Sequence, residues 1–267
     1  MRQLFFVPLL ILAAPAAARA HCNMLLPGPA SVQRGKPVTF TYQWGHPFEH
    51  ELFDAPMPEG LTVFTPDNKT ADLLKSLKKV TVKSGKKEVA AYQFTYTPEE
   101  AGDYIFVVQT PPIWMAAEGE YFQDTAKVVV HVQAQKGWDR LLNLDFEFAP
   151  LTRPYGLVAG TVFQASIQQY RDLGPRAGGG RAAPLAGLPV EVERYNTEPP
   201  KELPADEFMT RVVKTDPNGV VTCDLPEAGW WCLTAAREAG TREHEGKKVT
   251  VRRRSTLWVY VNDKARP

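Results

Sequence analysis

The stretch EVAAYQFTYTPEEAGDYIFVVQT, residues 88–110, decides the fold. Its two ends are β-rich runs separated by the turn residues of TPEEAGD, a strand, a tight connection and a second strand. Working outward, SVQRGKPVTFTYQW (31–44), KKVTVKSG (78–85) and DTAKVVVHVQ (124–133) read the same way. Val38, Phe40, Tyr42 and Trp44 fall at every second position, which places them in one row on a buried face. Leu73, Leu74 and Leu77 have helical spacing instead and predict one short amphipathic helix over residues 70–79.

TPEEAGDYIFVV resembles the turn and sixth-strand entry of immunoglobulin-like sandwiches, in which a tyrosine placed like Tyr104 ties the corner down. A polar joint near residues 134–140 is followed by LNLDFEFAPLTRPYGLVAGTVFQASI (142–167), where the strand pattern restarts. The second half continues through LPVEVERYN, RVVKT, the turn DPNG (216–219), VVTCDL and STLWVYV. The chain therefore reads as all-β, with two β-sandwich domains. An Ig-like domain is expected over residues 21–135, and a transthyretin-like or carboxypeptidase-regulatory-like sandwich over 140–267. The Gly-rich loop RAGGGRA (176–182) lacks the lysine and the strand-loop-helix setting of a phosphate cradle and reads as a hairpin loop.

Residues 1–20 carry Arg2, an apolar stretch from Leu4 to Ala14 and the small-residue site Ala18-Arg19-Ala20, the layout of a secretory signal cleaved after Ala20. The apolar stretch is shorter than the roughly 20 residues that span a bilayer, and no later segment is apolar for longer. A periplasmic protein without a membrane anchor, beginning at His21, is the expectation. The full sequence of 267 residues has 31 basic and 30 acidic residues, a net charge of +1 with no long run of one sign, which argues against nucleic acid as the main partner.

Three cysteines leave one unpaired in an exported chain. Cys223 and Cys232 flank DLPEAGWW, and a hairpin turned by Pro226–Gly229 would set them opposite one another, either bridged or as two buried thiols. Cys22 is the remaining one and adjoins His21.

Only five histidines occur, at positions 21, 46, 50, 131 and 244, and two of them share the motif WGHPFEHE (44–51) with Glu49 and Glu51. Imidazoles and carboxylates at this density are candidate ligands for a borderline divalent metal. If strand pairing brings the motif beside the mature N-terminus, the α-amine and imidazole of His21 form a chelate that His46 completes. His50 is a further candidate ligand, and Cys22, Glu49 and Asp124 are weaker ones. Met24 reads as core, while His131 and His244 read as structural or solvated. Trp114 and Tyr121, in PPIWMAAEGEYFQD (111–124), are candidates to wall a pocket. The start HCN resembles a nickel-superoxide-dismutase hook, but Leu26 stands where that hook needs its second cysteine, and the chain is not a helical bundle.

Taken together, HCNMLLP, WGHPFEHE, PPIWMAAEGEYF, APLTRPYGLVAGTVFQ, KTDPNGVVTCDLPEAGWW and TLWVYV follow one another in an order that resembles the periplasmic nickel or cobalt uptake proteins of the NikK and NikM-like group. The resemblance covers nearly the whole mature chain. It implies two β-sandwich domains, His21 and His46 as the family's histidines, and binding of Ni²⁺ or Co²⁺. It also implies a role beside a membrane metal transporter, of the ABC or energy-coupling type or in the outer membrane; His50 and Cys22 depart from it. A binding protein of this kind is not an enzyme. Two other readings stand beside it: a copper histidine-brace oxidase like the lytic polysaccharide monooxygenases, with Cu²⁺ in place of Ni²⁺, and a metal-free structural Ig-like module. No Ser/His/Asp or nucleophilic-cysteine arrangement supports a hydrolase.

Overall fold

A computed structural model describes residues 21–172 and 180–263, so residues 1–20, expected to form a secretory signal, and most of the Gly-rich loop lie outside the described residues. The first half contributes β1 (Cys22–Pro27), β2 (Ser31–Val32), β3 (Val38–His46), β4 (Glu51–Phe53), β5 (Gly60–Phe64), β6 (Thr70–Asp72), β7 (Lys78–Ser84), β8 (Lys87–Tyr96), β9 (Gly102–Gln109), β10 (Ile113–Met115) and β11 (Glu120–Val132). The second half contributes β12 (Glu147–Pro150), β13 (Leu157–Val158), β14 (Thr161–Asp172), β15 (Gly180–Pro184), β16 (Pro189–Arg194), β17 (Thr210–Lys214), β18 (Val220–Leu225), β19 (Gly229–His244) and β20 (Lys247–Asn262). One α-helical turn, α1 (Asp206–Met209), precedes β17. The fold is all-β, and among the described residues no helix is long and apolar enough to cross a membrane.

The strands form three sheets. A five-stranded sheet has the order β1-β3-β8-β7 with β4 on β3, and a four-stranded sheet has β12-β14-β15 with β18 on β14. Between them runs an eleven-stranded sheet whose path is β17-β16-β19-β20-β11-β9-β5-β6. It crosses the 134–140 joint without a break because β11 and β20 pair in parallel from Tyr121↔Val251 to Val128↔Trp258.

Side chains on a strand point alternately to its two faces, so the seam strands supply two cores at once. Trp230, Cys232 and Trp258 join Phe40, Tyr42, Val128 and Val130 in the core under the five-stranded sheet. Their sequence neighbours Trp231, Leu233, Leu257 and Val259 join Phe163, Ile167 and Val221 in the core under the four-stranded sheet.

Local turn chemistry follows the sequence closely. The Tyr104 hydroxyl donates to the Glu100 carbonyl at 3.1 Å and accepts from the Glu100 N–H at 3.0 Å, which closes the tyrosine corner. Asp216 Oδ1 accepts from the N–H groups of Asn218 and Val220, both at 2.8 Å, and Gly219 supplies the positive φ of 74°.

Two expectations need correction. Residues 70–79 hold only a single 3₁₀ turn, Leu74–Ser76, because Thr70–Asp72 pair with β5 and a new strand begins at Lys78; the three leucines still pack against the first core. Nor do β18 and β19 form a hairpin: they belong to different sheets, and Cys223 faces the second core while Cys232 faces the first. A bridge between Cys223 and Cys232 is therefore ruled out.

A wall shared by two cores makes the halves unfold together. Calorimetry of the chain from His21 onward is expected to show one transition. Trp258→Ala, which removes a fully buried indole bonded through Nε1 to the Asn23 carbonyl at 2.9 Å, should cost about 3–5 kcal/mol across that same transition. Two separable transitions, with only one shifted by the substitution, would contradict the shared wall.

Candidate metal centre

Strand register sets the site. In the β1–β3 pair, Cys22 lies opposite Gly45 and Asn23 opposite Trp44; one further step along that register sets His21 opposite His46. In the β3–β4 pair, His46 lies opposite Glu51 and Trp44 opposite Phe53. The pleat therefore aligns His21, His46 and Glu51 in one row across three strands, with Trp44 and Phe53 on the same face. The His21 ring centroid is 4.6 Å from that of His46, 4.9 Å from Trp44, on which it stacks, and 5.1 Å from Phe53.

The chemistry of the two rings is set by their partners. His46 Nδ1 is 3.1 Å from Glu51 Oε2, and a carboxylate only accepts, so this nitrogen carries a proton and the neutral ring has its lone pair at Nε2. His46 Nε2 is buried with no hydrogen-bond partner, and so is His21 Nδ1. Burial, then the adjacent His46 and Arg254, push the His21 imidazole down to about 4, so the ring is neutral and its lone pair available near pH 7. The indole Nε1 of Trp44 is likewise buried and unpartnered, but as a donor it offers nothing to a cation. Among the described residues no group of three or more His, Cys, Asp or Glu side chains is arranged to hold a metal ion. Two imidazole nitrogens are thus what the side chains supply.

The other expected ligands are occupied elsewhere. His50 turns toward the second half, with Nδ1 2.9 Å from the Asn196 carbonyl and Nε2 3.3 Å from the Lys83 carbonyl. A metal at either ring nitrogen would have to displace the carbonyl there. Cys22 follows His21 in an extended chain and points to the opposite side, into the first core. Asp124 commits both carboxylate oxygens to Arg254, with Nε to Oδ1 at 2.7 Å, and one of them also to the Asn23 amide. Its role is to hold β1 against the central sheet. Glu49 lines an open cleft together with Trp44, Glu51 and Phe53. Met24 is fully buried, as expected of core.

Two histidines given little weight in the sequence are tied into aromatic clusters. His244 stacks on Trp114 at 3.7 Å and meets the Tyr121 hydroxyl at 2.9 Å, so those aromatics pack on it. His131 meets Asp103 at 2.8 Å and stacks on Tyr155 at 4.1 Å.

A residue missed in the sequence fixes the loop between the two site strands. Glu193, on β16, accepts from the Phe48 N–H at 2.8 Å and the Thr210 hydroxyl at 3.1 Å. Asn196 adds bonds to the carbonyls of Phe48 and Pro47. Glu193 lies in LPVEVERYN, where alternation alone does not mark a buried carboxyl. Burial, above all, pushes it up to about 8.

Fold and site together define a two-sandwich β protein with paired histidines where its first strand begins. The chain belongs to the family described as domain of unknown function DUF4198, whose model matches residues 18–239. No curated protein matches the sequence. Among solved structures, a DUF4785 family protein from Legionella pneumophila is 10% identical with a TM-score of 0.27; the match covers 78% of this chain and 51% of that one. Trypsin-activated alpha-2-macroglobulin from Escherichia coli is 12% identical with a TM-score of 0.25, over 92% of this chain and 16% of the other. Titin domains z1z2, in complex with telethonin, are 12% identical with a TM-score of 0.20, over 92% and 98%. The chain thus spans about half the length of the Legionella protein and a smaller part of the macroglobulin.

Gly45 and Glu193 yield two tests of the geometry. A Cβ on Gly45, whose φ is 152°, would sit 2.1 Å from the Glu51 carbonyl oxygen and 2.8 Å from the Leu52 Cα. Gly45→Ala should therefore destabilise the protein by about 1–3 kcal/mol in urea titrations, and a loss too small to measure would show that β4 does not pack so closely. Glu193 has a folded value near 8 against an ordinary 4.5, so between those values the native state holds a proton that the unfolded chain has released. Stability should fall as pH rises from about 4.5 to 8 and level off above it. Glu193→Gln, which mimics the protonated carboxyl, should flatten that decline. An unchanged slope would mean that Glu193 is ionised in the fold.

Proposed function

We propose that the mature chain, beginning at His21, binds Ni²⁺ or Co²⁺ in the periplasm and serves metal uptake by presenting the ion to a membrane transporter component. One observation carries the reading: His21 Nδ1 and His46 Nε2 are buried side by side without hydrogen-bond partners, a costly arrangement unless a ligand fills it. Cleavage after Ala20 would free the α-amine of His21, and amine and Nδ1 of one histidine close a six-membered chelate ring around a metal. His46 then supplies the third nitrogen, with Glu51 as the carboxylate that orients it, the usual arrangement behind a ligating imidazole. A nitrogen-rich site suits Ni²⁺ and Co²⁺, and reversible capture needs no chemical turnover. Resemblance to the NikK and NikM-like uptake proteins, which share the two histidines, supports the choice of metal.

The same donor set favours a second reading. An amine and Nδ1 from a leading histidine plus Nε2 from another make the tetragonal nitrogen set that also suits Cu²⁺, as in a histidine-brace oxidase. Peroxide-dependent oxidation of a polysaccharide by the copper-loaded chain would select it.

The test is calorimetric titration of Ni²⁺, Co²⁺, Cu²⁺ and Zn²⁺ into a mature chain whose first residue is confirmed by mass spectrometry. Copper is expected to bind most tightly whatever the cellular metal. One extra residue before His21, or His46→Ala, should weaken Ni²⁺ binding at least tenfold, about 1.4 kcal/mol. Glu51→Gln should weaken it by about 10-fold or more, and His50→Ala should leave it within about threefold. Parental affinity in both the extended chain and His46→Ala would overturn the reading.

A further inference from the structure

The side chain that follows His21 points the other way and finds a second thiol. Cys22 Sγ lies 3.8 Å from Cys232 Sγ, 210 positions later in the sequence, and 3.3 Å from the Thr234 hydroxyl. Cys22 is 3% exposed and Cys232 1%. Around them stand Thr234 and Thr256, which bond each other at 3.0 Å. Cys22 opens β1 on the five-stranded sheet, and Cys232 stands on β19 in the central sheet. The pair therefore spans the first core and joins the start of the chain to its last strands. Cys223 is buried in the other core and serves as an internal control.

We infer that Cys22 and Cys232 are a redox site that closes into a disulfide across the first core. A disulfide bond is about 2.05 Å long, so the two sulfurs have to approach by less than 2 Å, within reach of small side-chain and backbone adjustments. The step is thiol–disulfide exchange with a disulfide donor, RSSR. One Cys thiolate attacks a donor sulfur and expels the first RS⁻; the other thiolate then attacks the mixed disulfide and expels the second. Two protein thiols are oxidised, one donor disulfide is reduced to two RSH, and the Cys22–Cys232 bond forms. Exchange takes place as the chain folds, before β1 seals the pair from solvent. The bridge would fasten the residue next to His21 to the wall of the core. It stands whether or not a metal binds at His21.

The wild-type mature chain, folded in the presence of oxidised glutathione, tests this. Under denaturing, non-reducing conditions intact mass should show the loss of two hydrogens, and a thiol assay should find one free thiol where the reduced chain has three. Peptide mapping should recover the Cys22 and Cys232 peptides joined, with Cys223 alkylated. Cys223→Ala should keep the bridge, and reduction should lower the melting temperature by about 5–10 °C. Three free thiols after folding with glutathione disulfide, or a bridge that includes Cys223, would overturn the inference.

Discussion

The two-faced seam of β11, β20 and β19 is the constraint on which the rest of the molecule depends. β19 and β20 give alternate side chains to the two cores: Trp230 and Trp231 point to opposite cores, as do Leu257 and Trp258, while β11 gives Val128 and Val130 to the first core and Val129 to a third, smaller cluster with Ile105, Val107 and Tyr155. Antiparallel sheets commonly keep one wet face, whereas here apolar packing on both sides holds the halves together. The sequence boundary at residues 134–140 divides the chain but not its central sheet.

That wall positions the histidines through β1. All six residues of β1 are buried, and Asn23 fastens it: its carbonyl accepts from Trp258 Nε1, its amide donates to Asp124, and its side-chain oxygen accepts from Tyr42. Asp124 is itself neutralised by Arg254, a residue only 4% exposed, whose Nε and Nη2 donate to its two carboxylate oxygens. Arg254 Nη1 is buried without a partner in this network, and the unpartnered nitrogens of His21 and His46 differ from it in that an unprotonated ring nitrogen offers a lone pair. Register from β1 through β3 to β4 then brings Glu51 behind His46. From the other side, Glu193 and Asn196 hold the turn between β3 and β4.

Much of this was legible in the sequence where physics is local. Alternation at Val38, Phe40 and Tyr42 marks a buried row; PEEAGDY closes its corner through Tyr104; DPNG turns as its asparagine, aspartate and glycine dictate. His21 and His46 lie side by side, although no spacing rule joins residues 25 positions apart; only the pairing of two strands does so. What escaped is tertiary. His50 shares its motif with His46 but is captured by carbonyls from Lys83 and Asn196, the latter distant in sequence. Cys232 sits nine positions after Cys223, yet an intervening change of sheet sends it to Cys22. The leucines at 73, 74 and 77 keep helical spacing but serve a strand edge and one 3₁₀ turn, because pairing with β5 outweighs local pattern.

The central proposal is that the orphaned nitrogens are ligands, and a crystal structure of the Ni²⁺-loaded mature chain, with anomalous data at the nickel edge, tests it most directly. The account predicts one peak about 2.0–2.1 Å from His21 Nδ1 and His46 Nε2, with the His21 α-amine as third donor. Nickel bound instead at His50 or His244, or a His21 ring that leaves His46 to reach the ion through Nε2, would contradict it.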